Sequence, residues 1–412
     1  MKIKINIPHE VETALNILIK NNFEAYIVGG CVRDSLLGNA PNDWDITTSA
    51  KPDEITNYFN NYRTINTGLK HGTVTVIINK MQLEITTYRI DGKYSDNRRP
   101  DMVLFTDNVF HDLRRRDFTI NSLAYNKYGI VDLFDGIADI ENKIIKCVGE
   151  PDERFNEDGL RIVRALRFAS VLGFDIEENT SLSIHKNKEL LNNVSKERIS
   201  NEFNKLVTGS DFYNVLKKYK NVIEVFIPEL ESYSEETFEN VLNSMSNADE
   251  LILRLALLLY NTNNSENILK NLKYDGATIK DVNVIVLNKD IEIFPDKVNI
   301  KKQLNIIGYD NYINLLKFKT AFFKAQKSKY EQELINIKNT EEILNYIVMH
   351  KECYNIKTLE INGEDLIEEG FIKGIILGSI LNDILSLVIE EKLENNKRVL
   401  IDYVKKYKNI LN

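Results

Sequence analysis

Asp43 and Asp45, in the run Asn42-Asp43-Trp44-Asp45-Ile46, are the carboxylates best placed to do chemistry. In an extended segment over 42–48 they project from one face, because side chains alternate along a strand. Carboxylates held that close repel each other as anions, and a divalent cation removes the repulsion. Two Mg2+ ions on shared carboxylates are the expected cofactor, with Asp43 and Asp45 as catalytic residues and metal ligands. Upstream, the apolar run Ala25–Val28 enters Gly29-Gly30 and then Cys31-Val32-Arg33-Asp34. Glycines let the backbone approach a phosphate closely, and the helix that follows offers its N-terminal N–H groups to the anion. A phosphate cradle beside metal-binding aspartates suits nucleotidyl transfer, in which a hydroxyl attacks an α-phosphate and pyrophosphate leaves. Glu84, on a neighbouring predicted strand, either faces the same site or pairs with an arginine such as Arg89 or Arg33. It is not counted as a ligand. His71 is read as a turn residue.

A second cluster is Leu113-Arg114-Arg115-Arg116-Asp117-Phe118-Thr119-Ile120-Asn121. Guanidinium forks suit triphosphate and ribose oxygens. Asp117 and Asn121 stand one helical turn apart, able to order the segment or touch a sugar hydroxyl. The apolar stretch to Tyr125 reads as buried and ties the arginines to the core.

The third cluster runs from Glu157 to Phe168, where Asp158, Arg161, Arg164 and Arg167 recur every third residue. On a helix they form a polar stripe, with Ile162, Val163, Ala165 and Leu166 as apolar contacts. An ionised Asp accepts hydrogen bonds and Arg donates them. Cytosine and adenine each present an amino donor beside a ring-nitrogen acceptor, which matches Asp158 with Arg161. Uracil and guanine present the opposite polarity and would leave buried groups unpaired. The stripe could therefore select C and A without a nucleic-acid template. The alternative is intrahelical Asp–Arg pairing on a wet face. Arg198, Glu202 and Lys205 share a helical face and read as a salt-bridged brace.

The elements that must hold these groups follow from patterning. A helix over 1–22 precedes the strand at Ala25, and a short helix runs through Leu37. The runs 73–78 and 83–88 form a hairpin. The polar stretch 91–107 is a loop of functional length, and helical spacing dominates from about Asn156 on. No 20–50-residue repeat stands out. At 412 residues, 43% hydrophobic and 28% charged, the chain has the composition of a globular protein of several domains. No apolar run approaches a membrane span, and MKIKINIPHE lacks a signal-peptide core. Cys31, Cys147 and Cys353 are too few and too scattered for a disulfide framework, so a cytoplasmic location is expected. The net charge of −8 means that any nucleic-acid contact needs a local basic surface.

Taken in order, GGCVRDSLLG with DWD, HGTVTVI with LEITTYR, RRDFTIN, EDGLRIVRALRF and RISNEFNK resemble the class II CCA-adding enzymes. These are tRNA nucleotidyltransferases grouped with bacterial poly(A) polymerases in the polymerase-beta superfamily. The segment Leu359–Leu366 with Gly370, Gly374 and Gly378 resembles the family's tail. The resemblance implies an α+β fold, a polymerase-beta-like head (mixed sheet with helices) followed by an all-α neck, body and tail. Its implied boundaries are 1–140, 141–205, 206–350 and 351–412. It implies template-independent addition of CCA to the tRNA 3′ end from CTP and ATP. It places Gly30, Arg33, Arg115, Asp158, Arg161, Arg164 and Arg167 at the nucleotide. Lys392, Lys397, Arg398, Lys405 and Lys406 are candidate tRNA phosphate contacts, with a merely solvated helix face as the alternative. The stretch Asn66–Gly72 resembles the CCA type, and the loop from Asp91 appears as complete as switching from C to A requires. A poly(A) polymerase, a CC-only or A-only enzyme, and a non-catalytic tRNA-binding protein stay open as alternatives. No His-Asp pair of the phosphohydrolase type appears in the C-terminal half.

Overall fold

Apolar residues at helical spacing (Val11, Ala14, Leu15, Leu18) bury one side of helix α1, His9–Lys20, shorter than the expected 1–22. The computed structural model describes residues 4–66, 68–92, 102–262, 264–326, 330–372 and 374–411. After α1 come β1 (Ala25–Val28), α2 (Gly30–Leu36), β2 (Asp45–Thr48), α3 (Pro52–Tyr58), β3 (Arg63–Ile65), β4 (Thr73–Ile78) and β5 (Met81–Thr87). The β4–β5 hairpin is closed by Asn79-Lys80, both at positive φ (46° and 73°), the twist-compatible two-residue turn. Along β4 the buried residues are Val74, Val76 and Ile78, so alternate side chains enter the core.

The polar stretch 91–107 is not all loop. Its ends lie in a two-stranded antiparallel ribbon of β6 (Arg89–Asp91) and β7 (Val103–Phe105). Residues 93–101 of that expected loop lie outside the described residues. Next come α4 (Val109–Arg114), β8 (Leu123–Asn126) and β9 (Gly129–Asp132). The main sheet is seven-stranded in the order β3-β4-β5-β2-β1-β8-β9. β2 is central, parallel to β5 and antiparallel to β1, so the sheet is mixed.

Helices then dominate: α5 (Gly136–Glu141), α6 (Pro151–Glu157), α7 (Leu160–Leu172), α8 (Glu178–Asn187), α9 (Lys196–Val207), α10 (Phe212–Lys218) and α11 (Lys220–Ile223). Short strands β10 (Ile144–Ile145) and β11 (Asp175–Ile176) pair in parallel among them. α7 packs along α9.

The chain forms two compact units, one of residues up to Ser232 with Asn271–Lys273, the other of Tyr233–Lys270 and residues from Tyr274 on. The second unit is helical, including α12 (Glu235–Met245), α13 (Leu251–Leu259), α14 (Ser265–Asn271), α15 (Gly276–Leu287), α16 (Lys297–Ile307), α17 (Tyr309–Ala325) and α18 (Glu331–Met349). Towards its C-terminal end α19 (Gly363–Glu368), α20 (Ile375–Ile389) and α21 (Lys397–Leu411) build a core around Leu366, Ile384, Leu385, Leu400 and Val404. No helix among the described residues is long and apolar enough to cross a membrane.

Candidate active site

Both aspartates are exposed and Trp44 between them is buried, so the carboxylates share the solvent side although β2 begins only at Asp45. Register sets Asp45 beside Glu84 on β5. Desolvation by the surrounding protein raises the Asp45 pKa; Glu84 adds to this, Arg116 opposes it and Asp43 contributes least. Arg89 pairs with Asp91 at 3.0 Å and Arg33 with Asp34 at 2.7 Å, so neither arginine partner expected for Glu84 is found on it. Among the described residues none of the three acids forms an ion pair. Hard oxygens without an ion-pair partner fit a divalent cation. No three acidic, histidine or cysteine side chains among the described residues close into a cage. Mg2+ tolerates that, because it commonly takes one or two carboxylates and completes its shell with water and substrate phosphates.

Gly29, between β1 and α2, sits at φ +82°, a conformation side chains other than glycine's avoid. A Cβ there would come 3.1 Å from Arg116 Nη1, and one on Gly30 would come 3.7 Å from Arg33 Nη2. The bare backbone therefore borders two guanidiniums.

From Arg33 a line of polar contacts crosses to α7. Arg33 Nη1 donates to Asn121 Oδ1 (2.6 Å), and Asn121 Nδ2 donates to Asp117 Oδ1 (3.2 Å). Asp117 Oδ2 accepts from Arg164 Nε (2.9 Å) and Nη2 (2.6 Å). Arg164 and Arg167 both reach Glu202 on α9, at 3.5 and 2.8 Å. The Phe168 ring lies beneath the guanidiniums of Arg33, Arg164 and Arg167, at 5.0, 5.4 and 3.7 Å from its centroid. Burial acts to raise the Asp117 pKa, but the Arg164 and Arg161 charges outweigh it and hold the carboxyl far below the usual range. Burial also pulls Arg167 down to about 10.

The expected unbroken stripe from Glu157 to Phe168 is interrupted. α6 ends at Glu157, Asp158 is extended (φ −145°, ψ 104°), and α7 starts at Leu160. A Cβ on Gly159 would lie 3.0 Å from the Leu190 carbonyl oxygen, so the chain turns there against its neighbour. The Asp158 and Arg161 side chains do not pair with each other, contrary to the intrahelical alternative. Asp158 takes Arg198 of α9 through both oxygens (3.1 and 2.7 Å), and its Oδ1 also accepts the Leu160 N–H (3.1 Å). Arg161 Nη1 donates to Glu157 Oε2 (2.6 Å) and Nη2 to the Arg115 carbonyl (3.0 Å). Arg115 itself grips the fully buried Asp112 Oδ1 with Nε (3.0 Å) and Nη2 (2.7 Å).

Gly30, Arg33, Arg164 and Arg167 are thus gathered around one network, and Arg115 and Arg161 meet through a backbone carbonyl. Asp158 is held separately, by Arg198. In the second unit Lys392, Lys397 and Lys405 pair locally with Glu390, Asp365 and Glu369 at 2.7, 2.6 and 3.3 Å. Sequence reasoning passed over Arg116 and Phe168. Both lie inside quoted motifs, but neither spacing nor residue type ranks one arginine of three above the next.

A family model described as "Poly A polymerase head domain" matches residues 25–146, and one for tRNA nucleotidyltransferase domain 2 matches 244–404. The chain is 38% identical to the CCA-adding enzyme of Ligilactobacillus salivarius, over 97% of this chain and 98% of that one. It belongs to the CCA-adding enzyme family. The enzyme of that name from Enterococcus faecalis is 35% identical over 97% of each chain. Among solved structures, the Bacillus stearothermophilus CCA-adding enzyme in complex with CTP matches with a TM-score of 0.81 and 29% identity, covering 97% of each chain. The Thermotoga maritima CCA-adding enzyme complexed with tRNA shares the fold, at a TM-score of 0.65 and 20% identity. The α+β architecture with a polymerase-type head and helical remainder is that of the family. Its members are nucleotidyltransferases that need a divalent metal.

Proposed function

We propose that this chain adds C, C and A to the 3′ end of tRNA without a nucleic-acid template, using CTP and ATP and releasing pyrophosphate. The observation that carries the reading is the line from Arg33 through Asn121 and Asp117 to Arg164, which ties the glycine turn to α7. Phosphate cradle and base-selecting helix then act as one nucleotide site. Asp43 and Asp45 would hold Mg2+, which when bound activates the terminal hydroxyl and offsets charge on the leaving pyrophosphate. Gly30 and Arg33 bind phosphate, and Arg115 orients the sugar and the α7 edge. Asp158 accepts from the base amino group while Arg161 donates to the ring nitrogen. Arg164 and Arg167 anchor α7 through Asp117, Glu202 and Phe168, and Arg198 holds Asp158.

In this reading 1–140 is the head, 141–205 the neck, 206–350 the body and 351–412 the tRNA-binding tail. The proposed compartment is the cytoplasm, which suits three cysteines that are all free and buried. Asp43→Ala and Asp45→Ala should abolish nucleotide incorporation while tRNA binding in a filter assay stays near wild type. Retained turnover in either variant would overturn the assignment.

A further inference from the structure

Arg116 lies at the meeting point of the glycine turn and the aspartates. Its Nη2 pairs with Asp112 Oδ2 at 3.2 Å, and Nη1 sits where a Gly29 Cβ would come within 3.1 Å. Its Nε is buried and without a hydrogen-bond partner among the described residues. The service it gives Asp112 is partly redundant, since Arg115 donates twice to that carboxylate and the Thr47 hydroxyl donates once more at 3.0 Å. Most of this guanidinium's hydrogen-bonding capacity is therefore unspent, beside a backbone kept bare of side chains. Its charge also acts on Asp45.

We infer that Arg116 is a phosphate-binding residue that grips the β,γ-phosphates of the incoming nucleotide and stays on the pyrophosphate as it departs. The assignment rests on the nucleotidyl-transfer reading and adds a residue to it. Gly29 and Gly30 open onto Arg116 and Arg33 respectively, so a triphosphate crossing the turn meets a guanidinium on each side. Arg33 is committed to Asp34, Asn121 and the Phe168 face. Arg116, whose charge acts on Asp45, stands where leaving-group charge accumulates. Because every nucleoside triphosphate carries the same phosphates, Arg116 contributes equally for CTP and ATP and leaves base choice untouched.

The test uses the full chain with Mg2+, as wild type, Arg116→Ala and Arg116→Lys, with folding checked by thermal melting. Pyrophosphate affinity by calorimetry should fall about tenfold or more in Arg116→Ala, the worth of one charge-assisted hydrogen bond. KM for CTP and ATP should rise by a common factor, with the preference over UTP and GTP unchanged, and Arg116→Lys should recover part of both losses. Unchanged pyrophosphate affinity together with a lowered melting temperature would overturn the inference and leave Arg116 as a counter-ion of Asp112. If Arg116→Ala does not fold, Arg116→Lys decides alone, since it keeps the charge opposite Asp112 but loses the fork: undiminished pyrophosphate affinity overturns the inference. Pyrophosphate binding needs no turnover, so a wild-type protein that binds it but fails to extend tRNA would overturn the functional reading and not this residue's role.

Discussion

Asp158→Asn should reverse the Asp158 half of the proposed base-selecting edge, while Arg161 stays a donor. In the wild-type chain Oδ1 receives two donors, Arg198 Nη1 and the Leu160 N–H, and Oδ2 receives Arg198 Nη2. A carboxylate has about four acceptor positions, which leaves one, on Oδ2, for a base amino group. An asparagine has a single oxygen, and the doubly donated position claims it. The amide NH2 then occupies the Oδ2 position, gives up the Arg198 Nη2 bond and presents a donor outward. Cytosine and adenine meet a donor-to-donor mismatch at position 158, while uracil and guanine gain a match at their carbonyl and keep their mismatch at Arg161. Each change is worth about 1–3 kcal/mol, so discrimination falls by at least ~2 kcal/mol, about 30-fold. The assay is kcat/KM for single-nucleotide incorporation of CTP, ATP, UTP and GTP on tRNA lacking its 3′ end. Lower turnover with unaltered discrimination would show that Asp158 supports the neck without facing the base.

The Asp117–Arg164 pair invites a double-mutant cycle. Asp117→Asn and Arg164→Gln should each destabilise by about 2–4 kcal/mol, and the double variant should lose clearly less than their sum; urea unfolding reads the coupling. Because the Asp117 pKa is depressed in the folded state, its contribution is full above about pH 4 and is lost as pH falls further. The stability gap between wild type and Asp117→Asn should therefore narrow below that pH. Gly29→Ala combines a φ of +82° with a 3.1 Å approach to Arg116 and should cost about 1–3 kcal/mol, measured by thermal melting, while raising KM for both nucleotides. Phe168→Leu keeps apolar volume but removes the ring under three guanidiniums; it should destabilise by about 1–3 kcal/mol.

The legible parts of this site were those in which function is written in adjacent residues. The positive φ at Gly29 and the shared solvent side of Asp43 and Asp45 follow from local properties, the absence of a Cβ and side-chain alternation, although the strand expected over 42–48 begins only at Asp45. The break between α6 and α7 was not legible, because it depends on Gly159 lying against the Leu190 carbonyl, thirty-one positions along the chain. The partner of Arg161 was within reach, since Glu157 stands four residues before it in the favoured acid-then-base order. Arg198 read as a brace from its helical face, but that its load is Asp158 emerges only when α7 and α9 pack. The β8–β9 hairpin hid for a different reason: the buried run through Tyr125 carried no alternation to mark a strand.

The most direct test of the central claim is the sequence of the product. Wild-type protein should be given tRNA lacking its 3′ end together with all four nucleoside triphosphates and Mg2+, and the extended 3′ ends sequenced. Termination at CCA in nearly every molecule is expected, with release of pyrophosphate. Extension by runs of A, arrest after C or CC, incorporation of U or G at comparable frequency, or no extension at all would contradict that claim.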